Sequence, residues 1–299
     1  MTQSSNTLST GDLPSLYATA DEASRRSQIY YYICVIADLI LIVGAAIMGS
    51  IAFASQETKE CAAWISASLA GGGIVLTILI KSKTFEQDWY DGRAIAESIK
   101  TRAWRFMMKT EPYEQAANDV DSAFVTDLEG ILMERKRFST RLASDTSQGL
   151  ISDRMRTIRS MSFKDRTEFY SEHRILDQKK WYSKKSRSNL RWGNIWFAAL
   201  LTAQGLLLIS CFAIIKWPGL PVNYIGIFSA VAAALVAWSQ LKRYQELANS
   251  YGLAANELAL IDALKQGIHT ESSFSQYVLD AENAISREHT LWKARRDKT

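Results

Sequence analysis

The chain is poor in the residues that tie small secreted or fibrous folds together. Three cysteines among 299 residues are too few for a disulfide scaffold. Four prolines and 15 glycines exclude collagen-like and low-complexity classes. Neither sign of charge dominates, and a net charge of +4 is too small to argue for nucleic-acid binding. With 47% apolar and 22% charged residues, the chain is not of the disordered class either. Patterns that carry chemistry are equally scarce. The histidines, His173, His269 and His289, lie far apart, and none has another His or a Cys at metal-ligand spacing. GxSxG and Walker-type glycine loops are absent. No enzyme, metal or cofactor is expected.

What the chain does have is clustering. Its mean hydropathy of −0.09 is ordinary for a soluble protein, yet the apolar residues gather into four runs. Ile29–Ala54 holds one charge, Asp38. Cys61–Ile80, Trp192–Ile215 and Val222–Trp238 hold none, and Leu220 and Pro221 extend the last. A hydrocarbon core about 30 Å thick takes roughly 20 apolar helical residues. Three runs reach that length and the fourth stands at the short limit. A soluble core helix this long keeps a polar face, which these runs lack. Four transmembrane helices are therefore expected, at about 29–54, 61–80, 192–215 and 220–238; a pair of buried core hairpins is the alternative. The short connections Ser55–Glu60 and Lys216–Pro221 make each pair an antiparallel hairpin.

Orientation follows from basic residues beside the spans. Arg25, Arg26, Lys81, Lys83, Lys242 and Arg243 flank three of them, and Lys179, Lys180, Lys184, Lys185, Arg187 and Arg191 lead into the third. The two short loops hold only Lys59 and Lys216. Both termini and the long central segment are thus expected in the cytoplasm of a multi-pass membrane protein. Tyr30–Tyr32, Trp192, Trp196, Trp217 and Trp238 stand where an interfacial aromatic belt belongs. Residues 1–28 do not read as a signal peptide, because the apolar run begins too late and is too long. The run Lys179–Arg191 suits topology or anionic lipid rather than nucleic acid.

The remaining sequence reads as helix. Lys81–Lys109 shows helical spacing and stops before Pro112. Asp119–Ala143 carries Phe124, Leu128, Ile131, Phe138 and Leu142 on one stripe. Ser162–Arg191 starts at a Ser162…Asp165 cap and runs into the third span. Gln240–Gln266 continues from the fourth, and Ser272–Arg296 forms a last helix. Ser144–Met161, polar and serine-rich, reads as a connection. The fold expected is all-α: two membrane hairpins whose helices extend into a cytoplasmic helical coat.

Within the spans, Asp38 costs about 2.5–3.5 kcal/mol on insertion scales at a helix centre. It is either a pore-facing or assembly-linking acid, or a neutral hydrogen-bonded one near the headgroups. Gln204 has the same two readings. Ser66, Ala70, Gly73, Thr77 and Lys81 share one face of the second helix, as a narrow aqueous path or a packing seam. Gly71-Gly72-Gly73 suits close helix packing. Gly226, Ala230 and Ala234 form a small-xxx-small stripe that favours helix association. Cys34, Cys61 and Cys211 read as small packing residues; an approach of Cys61 to Cys211 is the alternative. In the coat, Arg93 and Glu97 stand one turn apart, as do Arg174 and Gln178. They are surface pairs or links docking one unit's helices on the other's. Trp89, Trp104, Trp181, Tyr182 and Trp292 read as the coat's core rather than a ligand cage.

The two hairpins repeat. Asp91-x-x-Ala94-x-x-Glu97 follows the first, and Tyr251-x-x-Ala254-x-x-Glu257 follows the second. Before the first hairpin stand Leu16, Tyr17, Ala20, Asp21, Ser24 and Gln28. After it come Trp89, Arg93, Ala96, Glu97, Ser98, Lys100, Thr101, Trp104, Arg105, Met107, Met108, Pro112 and Tyr113. The second hairpin is framed by Tyr170, Arg174, Asp177, Gln178, Trp181, Tyr182 and Lys185, then by Tyr251, Glu257, Phe274, Val278, Glu282, His289 and Trp292. In this order the chain resembles the SLATT family, two-transmembrane effector domains associated with bacterial nucleotide-second-messenger conflict systems. The resemblance implies two different subtypes in tandem, at 11–143 and 162–299, joined by 144–161.

The resemblance implies a bacterial inner-membrane protein that forms pores and arrests the cell when triggered. No sensor or nucleotide-generating domain is expected beside the two units, so the trigger is an outside protein or a nucleotide signal. Four helices do not enclose a wide channel, so a homo-oligomer in the lipid bilayer is expected. The alternatives are a membrane-anchored scaffold or sensor that binds a partner, and an ion channel of ordinary physiology.

Overall fold

A computed structural model describes residues 8–114, 119–142 and 149–296, with side chains described through residue 286. Among the described residues there is no sheet, and helices dominate. The chain is an all-α membrane protein with four helices long and apolar enough to cross a bilayer. It divides into two compact units that cut across the sequence halves. One, the coat, comprises Met1–Gln28, Glu86–Ser186 and Asn249–Thr299; the other, the span unit, comprises Ile29–Phe85 and Arg187–Ala248.

In the span unit, α1 (Ser15–Ser50) and α2 (Gln56–Lys83) make the first hairpin, and α8 (Asp177–Lys216) and α9 (Tyr224–Lys242) the second. Their large apolar side chains point outward. Trp64 is 76% and Ile215 78% exposed, and Ile40, Ile74, Phe197 and Phe212 are exposed as well. Exposure on this scale removes the buried-hairpin alternative, because such surface is stable only against hydrocarbon. The two hairpins pair within one chain. Ile51 and Val222 form an antiparallel bridge, with the Ala52 amide donating to the Pro221 carbonyl at 2.7 Å and Asn223 donating to Ser50 at 2.7 Å. The first apolar run therefore leaves the helix at Ser50, short of Ala54, and the fourth helix starts at Tyr224 rather than 220. Ser55 caps α2 by accepting from the Thr58 amide, and Asn223 caps α9 by accepting from Gly226.

The return helices are broken where unbroken helices were expected. Thr84, with φ 53°, separates α2 from α3 (Phe85–Met108), and Arg243, with φ 48°, separates α9 from α10 (Tyr244–Ala263). Both are non-glycine residues in the left-handed region, a strained choice, and more so for β-branched Thr84. The lead-in helices α1 and α8 carry no such break, so the duplication read from the sequence recurs in backbone geometry.

The coat is one core built from both sequence halves. Ile95, Ile99, Trp104, Phe106 and Met107 of α3 pack with Tyr170, Phe274, Val278 and Ile285, the last three from α11 (Glu271–Arg296). The stripe expected over 119–143 divides at Arg135 into α4 (Val120–Glu134) and α5 (Lys136–Ser139). It still buries Phe124, Leu128 and Phe138, with Ile131 and Leu142 partly buried; Ala143 lies outside the described residues. Part of the segment expected as a connection is α6 (Asp153–Ser160), capped by Ser152, with Met155 and Ile158 fully buried. Ser162 caps α7 (Phe163–Tyr170) through the Asp165 amide at 3.2 Å. A π-helical stretch, Ser171–Leu176, joins α7 to α8. Gly92 is where α3 meets α1: a Cβ there would lie 2.7 Å from Phe138, 2.9 Å from Ser24 and 3.1 Å from the Ala20 carbonyl.

Candidate functional site

Among the described residues, each unit holds polar chemistry that apolar packing does not explain. In the span unit, Asp38 of α1 faces α2, where a Cβ on Gly73 would lie 3.1 Å from its Oδ1. That oxygen is buried and has no hydrogen-bond partner. Neighbouring Gly72 likewise admits Leu41, 3.2 Å from where its Cβ would stand. Ser66 donates to the Ala45 carbonyl of α1 at 2.9 Å. Ser66 and Gly73 thus sit in the α1–α2 seam, whereas Ala70 and Thr77 of the same expected face are exposed. Gln204 is exposed on α8. Gly226 lets α9 meet the end of α1, because a Cβ there would lie 2.9 Å from Ser50 Oγ. Ala230 and Ala234 are half-buried on the same helix. Cys34, Cys61 and Cys211 are free thiols.

In the coat, the centre is an ion pair with almost no access to water. Arg174 and Glu282 are 1% and 0% exposed. Nε of Arg174 donates to Oε1 at 2.8 Å and Nη2 donates to Oε2 at 2.7 Å, a bidentate fork. The Tyr170 hydroxyl adds a bond to Oε1 at 3.0 Å, and Thr101 one to Oε2 at 2.9 Å. Desolvation opposes the charge on Arg174, but Glu282 outweighs it and holds the guanidinium pKa above its ordinary value. Burial, with Glu282 beside it, pushes Tyr170 well above the usual phenol range. The Trp104 ring lies 5.8 Å from the guanidinium and meets Tyr170 edge-on at 5.6 Å.

The expected pairing of Arg174 with Gln178 gives way to this one, because Glu282 supplies a full charge from another helix. Arg93 pairs with Glu97 at 3.0 Å as an intrahelical link. Trp89 stacks on Tyr90 at 4.7 Å and its carbonyl accepts from Ser24 at 2.8 Å. Trp181 and Tyr182 form an aromatic cluster with Tyr251, at 5.5 and 5.9 Å. Glu257 is half-buried on α10. His289 and Trp292 lie beyond the described side chains. Glu282 and Tyr170 were not among the expected site residues. Only their place in the family-like pattern marked them, since no local spacing links positions more than a hundred residues apart.

Beside the ion pair opens a cleft of about 200 Å³ lined by Tyr17, Lys100, Trp104, His173, Arg174 and Gln178, among others. Lys100 lies over the Tyr17 ring at 5.8 Å. Desolvation first, then the nearby Arg174 charge, depresses its pKa.

Two family models match the chain. The family model described as SMODS and SLOG-associating 2TM effector domain 3 matches residues 14–167, and that of effector domain 1 matches residues 170–292. No curated protein and no solved structure matches the chain.

Proposed function

Because the chain belongs to the SLATT family of membrane effector domains, with two subtypes in tandem, we propose that it is a pore-forming effector of a bacterial conflict system. It oligomerises in the inner membrane and dissipates ion gradients. The observation that carries this reading is Asp38: a span carboxylate with one buried oxygen and no protein partner for it. A lone acid at membrane depth is costly and calls for water, a cation or another subunit beside it. The four lipid-ready helices and the short connections within each hairpin leave little protein on the outer side of the membrane. Four helices do not enclose a wide channel, so several copies surround the path. Both termini and the coat face the cytoplasm, by the distribution of Lys and Arg, where a protein or nucleotide signal reaches them.

The test is induced expression in a bacterial host with a membrane-potential dye, wild type beside Asp38→Leu at matched membrane abundance. Rapid depolarisation that weakens in the variant is expected. Depolarisation unchanged by Asp38→Leu would remove Asp38 from the path. No depolarisation at high abundance would favour a membrane-anchored scaffold or sensor. Depolarisation without growth arrest would favour an ion channel of ordinary physiology.

A further inference from the structure

Side chains that line the coat cleft carry hydrogen-bond donors that the protein does not satisfy. Glu282 occupies Nε and Nη2 of Arg174, yet Nη1 of the same guanidinium is buried with no partner. Trp104, 2% exposed, has an indole N–H in the same condition. Both side chains line the one cleft, together with Lys100. An orphaned buried donor costs about 1–3 kcal/mol, more on a charged group. The two side chains that carry them line one concavity together with the Lys100 side chain, and that combination marks a place where oxygen acceptors belong. The Lys100 ammonium has the Tyr17 ring beside it, and Glu97, the nearest acid on its helix, is engaged by Arg93.

The lining also holds Glu172, Asp177 and Gln178, which offer acceptors, with Ser9 and Thr10 of the N-terminal turn. A bare inorganic anion would meet two carboxylates in the same cleft. A molecule with an oxyanion at one end and hydroxyl or amino donors at the other meets complementary groups at both. About 200 Å³ is below the roughly 300–1,000 Å³ of drug-sized pockets, so the body is short.

We propose that this cleft binds a small organic oxyanion, a phosphate or carboxylate head on a short hydroxylated or amino-bearing body. The head lies against Lys100, Arg174 and Trp104, and the body's donors face Glu172 and Asp177. The site belongs to the coat and stands whether or not the spans form a pore.

Thermal unfolding of the full-length chain in detergent, titrated with glycerol 3-phosphate, glycerate and inorganic phosphate, tests this. Glycerol 3-phosphate or glycerate should raise the melting temperature saturably, at lower concentration than inorganic phosphate. Lys100→Gln, which leaves the Arg174–Glu282 fork in place, should weaken the response at least tenfold. Trp104→Phe, which keeps a ring and removes the N–H, should weaken it several-fold. No saturable response to any of the three, a response equal for inorganic phosphate and the organic anions, or one unchanged in Lys100→Gln would overturn the proposal.

Discussion

Replacing Glu282 with glutamine preserves shape and removes the charge that Arg174 depends on. In the native coat this carboxylate accepts four hydrogen bonds, two from Arg174, one from Tyr170 and one from Thr101. An amide keeps one acceptor oxygen and turns an NH2 toward a guanidinium or a hydroxyl, which are already donors. Breaking one side of a buried pair costs about 3–5 kcal/mol, because the remaining charge is stranded. Arg174→Met strands the carboxylate instead and should cost a similar amount. The double variant Arg174→Met with Glu282→Leu removes both charges. Replacing a buried pair by apolar groups is neutral or gains about 1–4 kcal/mol. Here Tyr170 and Thr101 lose their acceptor, which returns about 1–3 kcal/mol each. The double variant should thus lie between about 2 kcal/mol more and about 6 kcal/mol less stable than wild type, against about 6–10 kcal/mol for the two single losses added together. Urea unfolding of the detergent-solubilised chain, followed by tryptophan fluorescence, reads all three. A loss below about 1 kcal/mol for Glu282→Gln, or additive single losses in the double variant, would refute the claim that the two residues act as one desolvated unit.

Other predictions rest on neighbouring features. Gly92→Ala should destabilise by about 1–3 kcal/mol by overpacking, since its Cβ would press on Phe138, Ser24 and a backbone carbonyl. Gly130→Ala, with nothing within 4 Å, should instead gain about 0.5–1 kcal/mol from helix propensity, and denaturant midpoints separate the two. Lys100→Met should raise the melting temperature at neutral pH, because the native coat disfavours that cation; a fall would contradict its desolvation. Alkaline titration tests the buried phenols: burial pushes Tyr17 and Tyr277 up to about 12. The native state then keeps protons that the unfolded chain releases above about pH 10, so stability should fall as pH rises from there. A flat stability profile through that window would contradict the burial of these hydroxyls.

The spans and their pairing into hairpins were legible because length, absence of charge and short connections are local properties. The stripe through Phe124, Leu128 and Phe138 was legible for the same reason. The breaks at Thr84 and Arg243 were not, since neither is a glycine and nothing in their neighbours demands a left-handed backbone. The helix at Asp153–Ser160 hid in a polar stretch because only Met155 and Ile158 of it turn inward. The Arg174–Glu282 fork escaped spacing arguments altogether, being formed by helices from distant parts of the same half. A shared coat, with one half's helices docked on the other's, was among the sequence readings, but which residues meet was not legible, because tandem repeats read along a sequence do not reveal which of their faces meet. Trp104 read correctly as core, while its unmatched N–H is visible only in three dimensions.

The claim with most at stake is that the assembled spans conduct ions. The purified chain in liposomes loaded with potassium, diluted into sodium with a potential-sensitive dye outside, measures this without a host cell. The account predicts a potential change or flux that grows steeply with protein-to-lipid ratio and is reduced in Asp38→Leu. Liposomes that stay tight at every ratio, with the protein inserted and helical, would contradict it.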